Sequence, residues 1–444
     1  MDGRREAHDA VIVGAGPAGL CLGVLLARAG VGVVVLEART EPTRHSRAIG
    51  IHPPGQRVLA AAGALGPLAE AGTWIREGVA RSRTGGQARE VGRLAFEPPI
   101  LAVPQWRTEA ALEARLEELA PGAIRRGVRA VRVEQGASGV VVRCTAGDAE
   151  PPAGTGSPAG DAGPPAGIGG PVGEMRLGAR WAVVAAGARS ALLPAEMGDW
   201  TAEMGYWAAE MGGSPRTFPD AYLMGDFPDT LPPRDATRAV LHLEPEGIVE
   251  SFPLPGGLRR WVVHLDAPAT GADPARLAGI IAERTGAAVE PASCAMLSAF
   301  TVSERLAPRL RAGRVLRIGD AAHEVSPIGG QGMTLGWLDA EAFAPLIAAD
   351  FRGARSAARP EPARPEPARP EPARPEPAWP ELWAAAERGR LRAARLAARQ
   401  ARLNMALGRP LPPRTMAARN ALFALAYRIP WLARRTAARF TMRA

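Results

Sequence analysis

The chain has 444 residues, room for two or three domains with cores of their own. Its 54 basic residues, every one an arginine, outnumber 45 acidic ones for a formal charge of +9; the excess gathers near the C-terminus, and with no zinc-finger, RNA-recognition or helix-turn-helix pattern beside it a nucleic-acid partner is excluded. Cys21, Cys144 and Cys294 are scattered and include no Cys-x-x-Cys, which excludes a disulfide scaffold, a structural zinc site and a dithiol redox centre, while no apolar run reaches the roughly 18 residues of a membrane-spanning helix.

A leader of mixed charge, without a secretory pattern, runs straight into the first strand, so a cytoplasmic chain is expected. The apolar run 10–13 predicts that strand. Gly14-Ala-Gly16-Pro-Ala18-Gly19 and a helical stretch, 20–29, follow it. In this spacing Gly14 makes the tight turn, Gly16 lets the backbone approach a pyrophosphate, and Gly19 allows close helix–strand packing. A second strand, 32–36, ends at Glu37-Ala38, where a βαβ nucleotide fingerprint expects an acid for a ribose hydroxyl. A carboxylate there repels a 2′-phosphate, which leaves FAD or NAD.

Residues 109–119 predict a helix with a charged face, and 124–133 with 139–144 alternate as a hairpin does. The Gly/Pro/Ala tract 146–173 reads as a disordered extension of that hairpin. A near repeat of Ala-Glu-Met-Gly at 195–213 reads as a short loop duplication or as a Met/Trp lid over an apolar ligand. Residues 236–266 predict an antiparallel sheet with strands at 239–243, 248–252 and 260–264.

A strand at 314–318 then leads into Gly319-Asp320, Pro327 and the run Gly329-Gly330-Gln-Gly332-Met333-Thr334, which opens a helix. An acid at a strand end can hold a sugar or polyol hydroxyl. Glycines 329, 330 and 332 let backbone N–H groups reach a flat, partly anionic ligand at a helix N-terminus. With this run downstream, FAD is favoured over NAD. Five turns of Ala-Arg-Pro-Glu-Pro over 358–382 forbid a helix and predict a polyproline-II spacer. Helix returns over 382–407. The last thirty residues join the apolar stretch 421–427 to arginines 434, 435, 439 and 443: either an interfacial helix or one packed on its own protein with arginines outward.

These motifs, above all the 319–340 run with Gly14–Gly19 and Glu37, resemble those of the para-hydroxybenzoate hydroxylase-like, group A flavoprotein monooxygenases, over most of 10–345. The resemblance implies an α/β fold with a Rossmann-like FAD-binding domain assembled from 8–75, 101–190 and 311–345. A substrate-binding antiparallel-sheet domain from 76–100 and 191–310 is inserted in it. A helix end at 346–357, the Pro-rich linker 358–381 and a C-terminal helical region 382–444 complete the chain. FAD would be non-covalent and would lie against Gly14, Gly16, Ala18, Gly19, Glu37 and Ala38. Arg47 takes the place of an arginine along the FAD phosphates, and Gln105 that of a flavin-contacting glutamine at a helix start. Gly187, Asp320, Pro327, Gly330, Gly332, Met333 and Thr334 complete the implied contacts.

Two positions depart from the family. Its third motif, a strand ending in Asp-Gly with a serine and an arginine after it, reads here Ala186-Gly187-Ala-Arg189-Ser190. The acid that relatives use for FAD and pyridine nucleotide is missing. Thr334 stands where the family has an asparagine facing the flavin ring.

The implied reaction is reduction of FAD by NADH or NADPH, then transfer of one atom of O2 to an apolar aromatic, such as a polyketide phenol or alkylresorcinol. Pro327 would shape the front of the flavin, and backbone donors at Gly332–Met333 would stabilise its negative charge when reduced. A phenol must lose its proton, so His52, Tyr222, His242 and His264 are candidate acceptors; His323 is read as structural. The partners expected are the aromatic substrate, O2 and NAD(P)H, with peripheral contact to the inner face of the membrane through the basic C-terminal helix. Two other readings are a flavin-dependent reductase or dehydrogenase of an isoprenoid-like substrate, and a flavin-binding protein without turnover.

Overall fold

The computed structural model describes residues 6–44, 47–84, 87–136, 139–146, 175–188, 216–268, 271–357 and 379–443. The tract at 147–173, the repeat at 195–213, Arg189, Ser190 and the Pro-rich array 358–378 lie outside the described residues.

The first sheet has Glu6–Val13 at its centre, with Val33–Glu37 and Met175–Val184 parallel on either side. Ile124–Arg126 and Val315–Arg317 extend it, again in parallel, and Arg311–Ala312 closes one edge. Every residue of Val33–Glu37 is buried, as a parallel sheet covered on both faces requires. Successive residues of the first strand serve opposite faces. Ile12 packs with Leu20 of helix Pro17–Arg28, Leu116 of Gln105–Leu119 and Phe343 of Gly332–Ala357, whereas Val11 and Val13 pack with Val133 and Val142 of an antiparallel hairpin. That hairpin, Val128–Gln135 with Val140–Ala146, pairs back onto Met175–Val184. The single strand expected at 124–133 is divided: Gly127 takes φ 68°, a turn that costs glycine little, and only the part beyond it enters the hairpin.

The second sheet has nine strands. Their order is His323–Glu324, Met296–Leu306, Arg216–Pro228, Leu258–Leu265, Val249–Leu254, Arg238–His242, Thr73–Thr84, Gln87–Ala102 and Gly50–Ile51. The three strands expected between 236 and 266 are all present in it. One face packs Leu223, Phe227, Trp261 and Val263 against Leu277 and Ile281 of helix Pro274–Thr285. The other carries Tyr222, Met224 and Val262, and meets Ile328 and Met405. The first and last strands, His323–Glu324 and Gly50–Ile51, come from segments that flank the first sheet, so the two sheets are tied together at both edges.

Helix Trp379–Gly408 anchors itself by stacking Trp383 on Trp181, ring centroids 4.8 Å apart, and on Phe343 at 5.8 Å. It starts at Trp379, so the expected spacer ends a few residues early. Pro380 falls in the first turn, where a missing N–H breaks no helical bond. Helices Pro413–Ala426 and Pro430–Phe440 close over the far end of the second sheet, where Phe440 stacks on Phe96 at 5.7 Å. The C-terminal helices therefore do pack on their own protein.

Candidate functional site

The first loop is pinned from behind and open in front. Gly14 has φ 106° and donates its N–H to Leu36 O at 2.7 Å; a Cβ there would lie 2.5 Å from Ala185 O. A Cβ on Gly19 would lie 2.1 Å from Gly14 O. Gly16 is different, for a Cβ there would meet nothing within 4 Å. Gly16 is also the N-cap of helix Pro17–Arg28, and no side chain caps that helix. No side chain is thus spent on capping the N–H groups of its first turn, as an anion-binding helix start needs. Ala18 locks this helix to the distant glycine run, since a Cβ on Gly319 or on Gly336 would come within 2.9 Å of the Ala18 methyl.

Glu37 braces the same loop. One carboxylate oxygen accepts the Ala15 N–H at 3.0 Å; the other accepts the Arg39 N–H and Nε, each at 3.0 Å. Burial pushes its pKa up, but the bonds from Arg39 and Ala15 outweigh this and hold it below the usual carboxylate range. Ala38 beside it is half-buried. Gln105 opens its helix with its N–H on Ala48 O at 3.1 Å and its Nε2 on Glu109 at 2.9 Å. Burial raises the pKa of Glu109, which is close enough to feel the charges of Arg39 and Glu37. Gln105 and Glu37 thus belong to one neighbourhood.

Asp320 retains access to solvent although protein surrounds its carboxyl group, the situation of an acid on the wall of a cleft. Its pKa is raised, by desolvation first, with Glu324 and Asp339 adding and His323 opposing. Its Oδ1 lies 3.9 Å from where a Cβ on Gly332 would stand, so the acid and the start of helix Gly332–Ala357 share one spot. Pro327 is exposed, and its carbonyl accepts the Gly330 N–H at 2.9 Å, which closes a tight turn with Gly329 and Gly330 at positive φ. Met333 is half-buried. Thr334 is fully buried, its Oγ1 without a partner among the described residues and 3.0 Å from where a Cβ on Gly55 would be, so its side chain points between helices. Behind the turn, Asp339 accepts the Gly319 N–H at 3.0 Å and bonds His323 Nε2 at 2.5 Å and Arg390 Nε at 2.7 Å. Burial alone would lower the His323 pKa; Asp339 overrides it and raises it. Gly187 faces open space, while Ala186 packs onto the hairpin side of the first sheet.

The proton-relay candidates separate. Tyr222 is buried, stacks on Phe300 at 5.6 Å and meets His264 edge-on at 5.3 Å. Among the described residues its hydroxyl has no partner, and burial pushes its pKa up. His264 Nε2 is 3.4 Å from Asp220, which Arg409 grips with both prongs. His52 is buried at the start of helix Pro53–Ala62, its ring against the backbone of Gly329 and Gly330, and burial holds its pKa down to about 4. His242 is on the other face of the second sheet, stacked on Trp261 at 6.3 Å, and among the described residues neither ring nitrogen is bonded; burial pushes it to about 4. It does not join the others. Arg47 lies over Phe300 at 5.4 Å, and its carbonyl accepts Arg260 at 2.6 Å; Arg260 in turn forks onto Asp226 at 2.7 and 2.8 Å.

Sequence reasoning missed Glu250. It is 8% exposed, sits on the Tyr222 face, and among the described residues no hydrogen bond or ion pair holds its carboxylate. Burial alone pushes its pKa to about 7. The one signal for it was an acid in mid-strand, within Ile248-Val-Glu-Ser-Phe252.

Comparison with known proteins adds the following. The family described as "FAD binding domain" matches residues 7–153 and 170–366. Rifampicin monooxygenase of Streptomyces venezuelae is 30% identical over 356 residues, covering 78% of this chain and 65% of that protein. The 12-dehydrotetracycline 5-monooxygenase/anhydrotetracycline 6-monooxygenase of Streptomyces rimosus is 30% identical over 363 residues, covering 78% and 63%. The chain thus spans a little under two thirds of the length of these relatives. Among solved structures, p-nitrophenol 4-monooxygenase PnpA of Pseudomonas putida superposes with a TM-score of 0.74 at 21% identity, covering 99% of both chains, which is a likeness of fold.

Proposed function

We propose, from the premise that the chain belongs to the FAD binding domain family, that it is an FAD-dependent monooxygenase using NAD(P)H and O2 to hydroxylate an apolar phenolic aromatic. One observation carries this reading. The open Gly16 loop, the Asp320–Gly332 corner and the Tyr222 sheet face are joined by direct packing, through Ala18 on Gly319 and through Ile328. The glycine-lined helix start and the Tyr222 face of the second sheet therefore adjoin, as neighbouring cofactor and substrate sites would. Relatives are named for rifampicin, tetracyclines and p-nitrophenol, and a phenolic ring system is the substrate class proposed here.

The residues fit FAD, which when bound supplies hydride acceptance and oxygen chemistry. In this assignment the backbone at Gly14, Gly16, Ala18 and Gly19 cradles the pyrophosphate, with Arg47 nearby. Glu37 and Ala38 meet the ribose; Glu37 repels a 2′-phosphate there. Gln105, Gly187 and Asp320 line the polyol, and Asp320 accepts hydroxyl bonds. Gly330, Gly332 and Met333 turn N–H donors toward the ring, and exposed Pro327 shapes its front. Thr334 contributes only its backbone, since its side chain is buried against Gly55. Neutral His52 steadies the 329–330 turn. Segments 8–75, 101–190 and 311–345 are assigned to flavin binding and 76–100 with 191–310 to substrate binding, although strands Gly50–Ile51, Thr73–Thr84, Gln87–Ala102 and His323–Glu324 of the second sheet cross those bounds.

The test is anaerobic titration of the purified protein with NADH and NADPH, watched by flavin absorbance, followed by oxygen uptake with a panel of phenols. Bleaching and product-coupled uptake are expected. A flavin that neither nucleotide bleaches would favour a binding protein without turnover, the reading that Ala186 and the buried Thr334 side chain support. Bleaching without product-coupled uptake would favour a reductase or dehydrogenase.

Peripheral membrane contact is proposed on a separate observation. Leu422 and Leu425 are each 63% exposed and Trp431 is 60% exposed, on helices whose span 413–443 holds seven arginines and no acid. Apolar side chains amid arginines suit an anionic lipid surface. Among the described residues no helix is long and apolar enough to cross a membrane. Co-sedimentation with phosphatidylglycerol vesicles, lost in Leu425→Ser/Trp431→Ser, is expected; equal binding by the double variant would end the proposal.

A further inference from the structure

We infer that Glu250 is the base for the substrate's phenolic proton, its carboxylate hydrogen-bonding the hydroxyl on the inner face of the nine-stranded sheet. The inference rests on the hydroxylase reading above. In strand Val249–Leu254, Glu250 stands opposite Val262 on one side and Leu241 on the other, and Val262 stands opposite Met224. Side chains in register share a face, so Glu250 belongs with Val262, Met224 and Tyr222 rather than with Trp261 and His242. That face runs on to Ile328, the neighbour of Pro327. A bound aromatic ring between flavin and sheet would lie along it.

The arginines of this region are committed elsewhere: Arg260 to Asp226 and the Arg47 carbonyl, and Arg409 to Asp220. A buried carboxylate that finds no partner among the described residues carries a desolvation penalty, and none of them offers a structural ion pair to explain it. Burial brings it to about 7, where a base can both accept and release a proton near neutrality. Tyr222 offers the complementary group. Its hydroxyl, without a partner among the described residues, feels the charge of Glu250 and, with its pKa pushed up, stays a donor. In the step, the substrate O–H bond breaks and a carboxyl O–H bond forms on Glu250. The electron pair stays on the substrate oxygen, where Tyr222 can donate to it, and enriches the ring for attack. No oxidant takes part in this transfer.

The experiment uses the oxidised, FAD-loaded protein without nicotinamide, so that nothing turns over. The probes are 2-naphthol and 2-methoxynaphthalene, titrated by flavin absorbance across neutral pH. For wild type, 2-naphthol should bind about tenfold tighter or more as pH rises through 7, because an ionised acceptor strengthens the hydrogen bond. The methyl ether should show no such gain. Glu250→Gln should bind 2-naphthol with flat pH dependence, and Glu250→Asp should restore the slope in part. Flavin content and melting temperature of each variant confirm folding. A slope retained in Glu250→Gln, or shared by the ether, would overturn the inference. Failure of oxygen-coupled product formation with a pH-dependent wild type would instead sink the hydroxylase reading and leave Glu250 as a phenol-binding carboxylate.

Discussion

Gly16→Ala should separate the stability of the first loop from its hold on FAD. At Gly14 an added methyl meets Ala185 O at 2.5 Å with φ at 106°, so Gly14→Ala combines backbone strain of about 1–3 kcal/mol with overpacking of about 1–3 kcal/mol. That is about 2–6 kcal/mol against the apo protein. At Gly16 the methyl meets nothing within 4 Å, and φ is −81°, which any residue accepts. Alanine is a poorer N-cap than glycine, so the apo protein should lose up to about 1 kcal/mol. With FAD held as proposed, the methyl stands where the pyrophosphate comes close. Overpacking there of about 1–3 kcal/mol weakens binding roughly 5- to 150-fold. At FAD one hundred times the wild-type Kd, wild type gains about 2.7 kcal/mol of stability from its ligand, and a 100-fold weaker variant only about 0.4. Quenching of FAD fluorescence gives Kd, and urea melts of apo and loaded protein give the stabilities. A Gly16→Ala protein that binds FAD as tightly as wild type would refute the placement of the pyrophosphate.

Three further outcomes are expected. Asp320→Ala should lose FAD during gel filtration that wild type survives, because an acceptor beside Gly332 is gone; equal retention would misplace that acid. Asp226→Asn leaves Arg260 buried with half its partner, so urea melts should show a loss of about 3–5 kcal/mol; a loss below about 1 would mean that solvent reaches the pair. His242→Phe should raise the melting temperature at about pH 5 and not at about pH 8. Folding holds His242 at about 4 against an ordinary 6.5, so its contribution is present above 6.5 and lost as pH falls toward 4. Phenylalanine cannot take up that proton. A variant as acid-sensitive as wild type would show that His242 gains a partner when protonated.

What could be read in the chain was whatever depends on neighbours in sequence. Gly14, Gly16, Gly19 and Glu37 follow one βαβ spacing, and 319–334 is one short contiguous run, so their places in the loop and corner were visible before any fold was known. The side on which a strand residue falls was not visible, because it depends on register with strands far away. His242 and Glu250 lie eight residues apart on adjacent strands, yet one faces Trp261 and the other Val262. A histidine looked suited to proton transfer by its ordinary pKa, whereas Glu250 becomes so only when the closed sheet removes its water. The division at Gly127 was missed for a related reason: an alternating pattern does not show that one glycine turns the chain from the parallel sheet into the hairpin.

The locking of Ala18 onto Gly319 and Gly336 sets a schedule for synthesis. The first helix leaves the ribosome while the partners that will clasp it are some 300 positions from being made. At roughly 5–20 residues per second, that interval lasts about 15–60 s. For roughly the first half of that interval the apolar strand at Glu6–Val13 can pair with Val33–Glu37 but not yet with Met175–Val184. A nascent chain in that state presents bare Val/Ile/Leu surface to whatever holdase is nearby, and a cofactor cradle that exists only once the last glycine run has emerged.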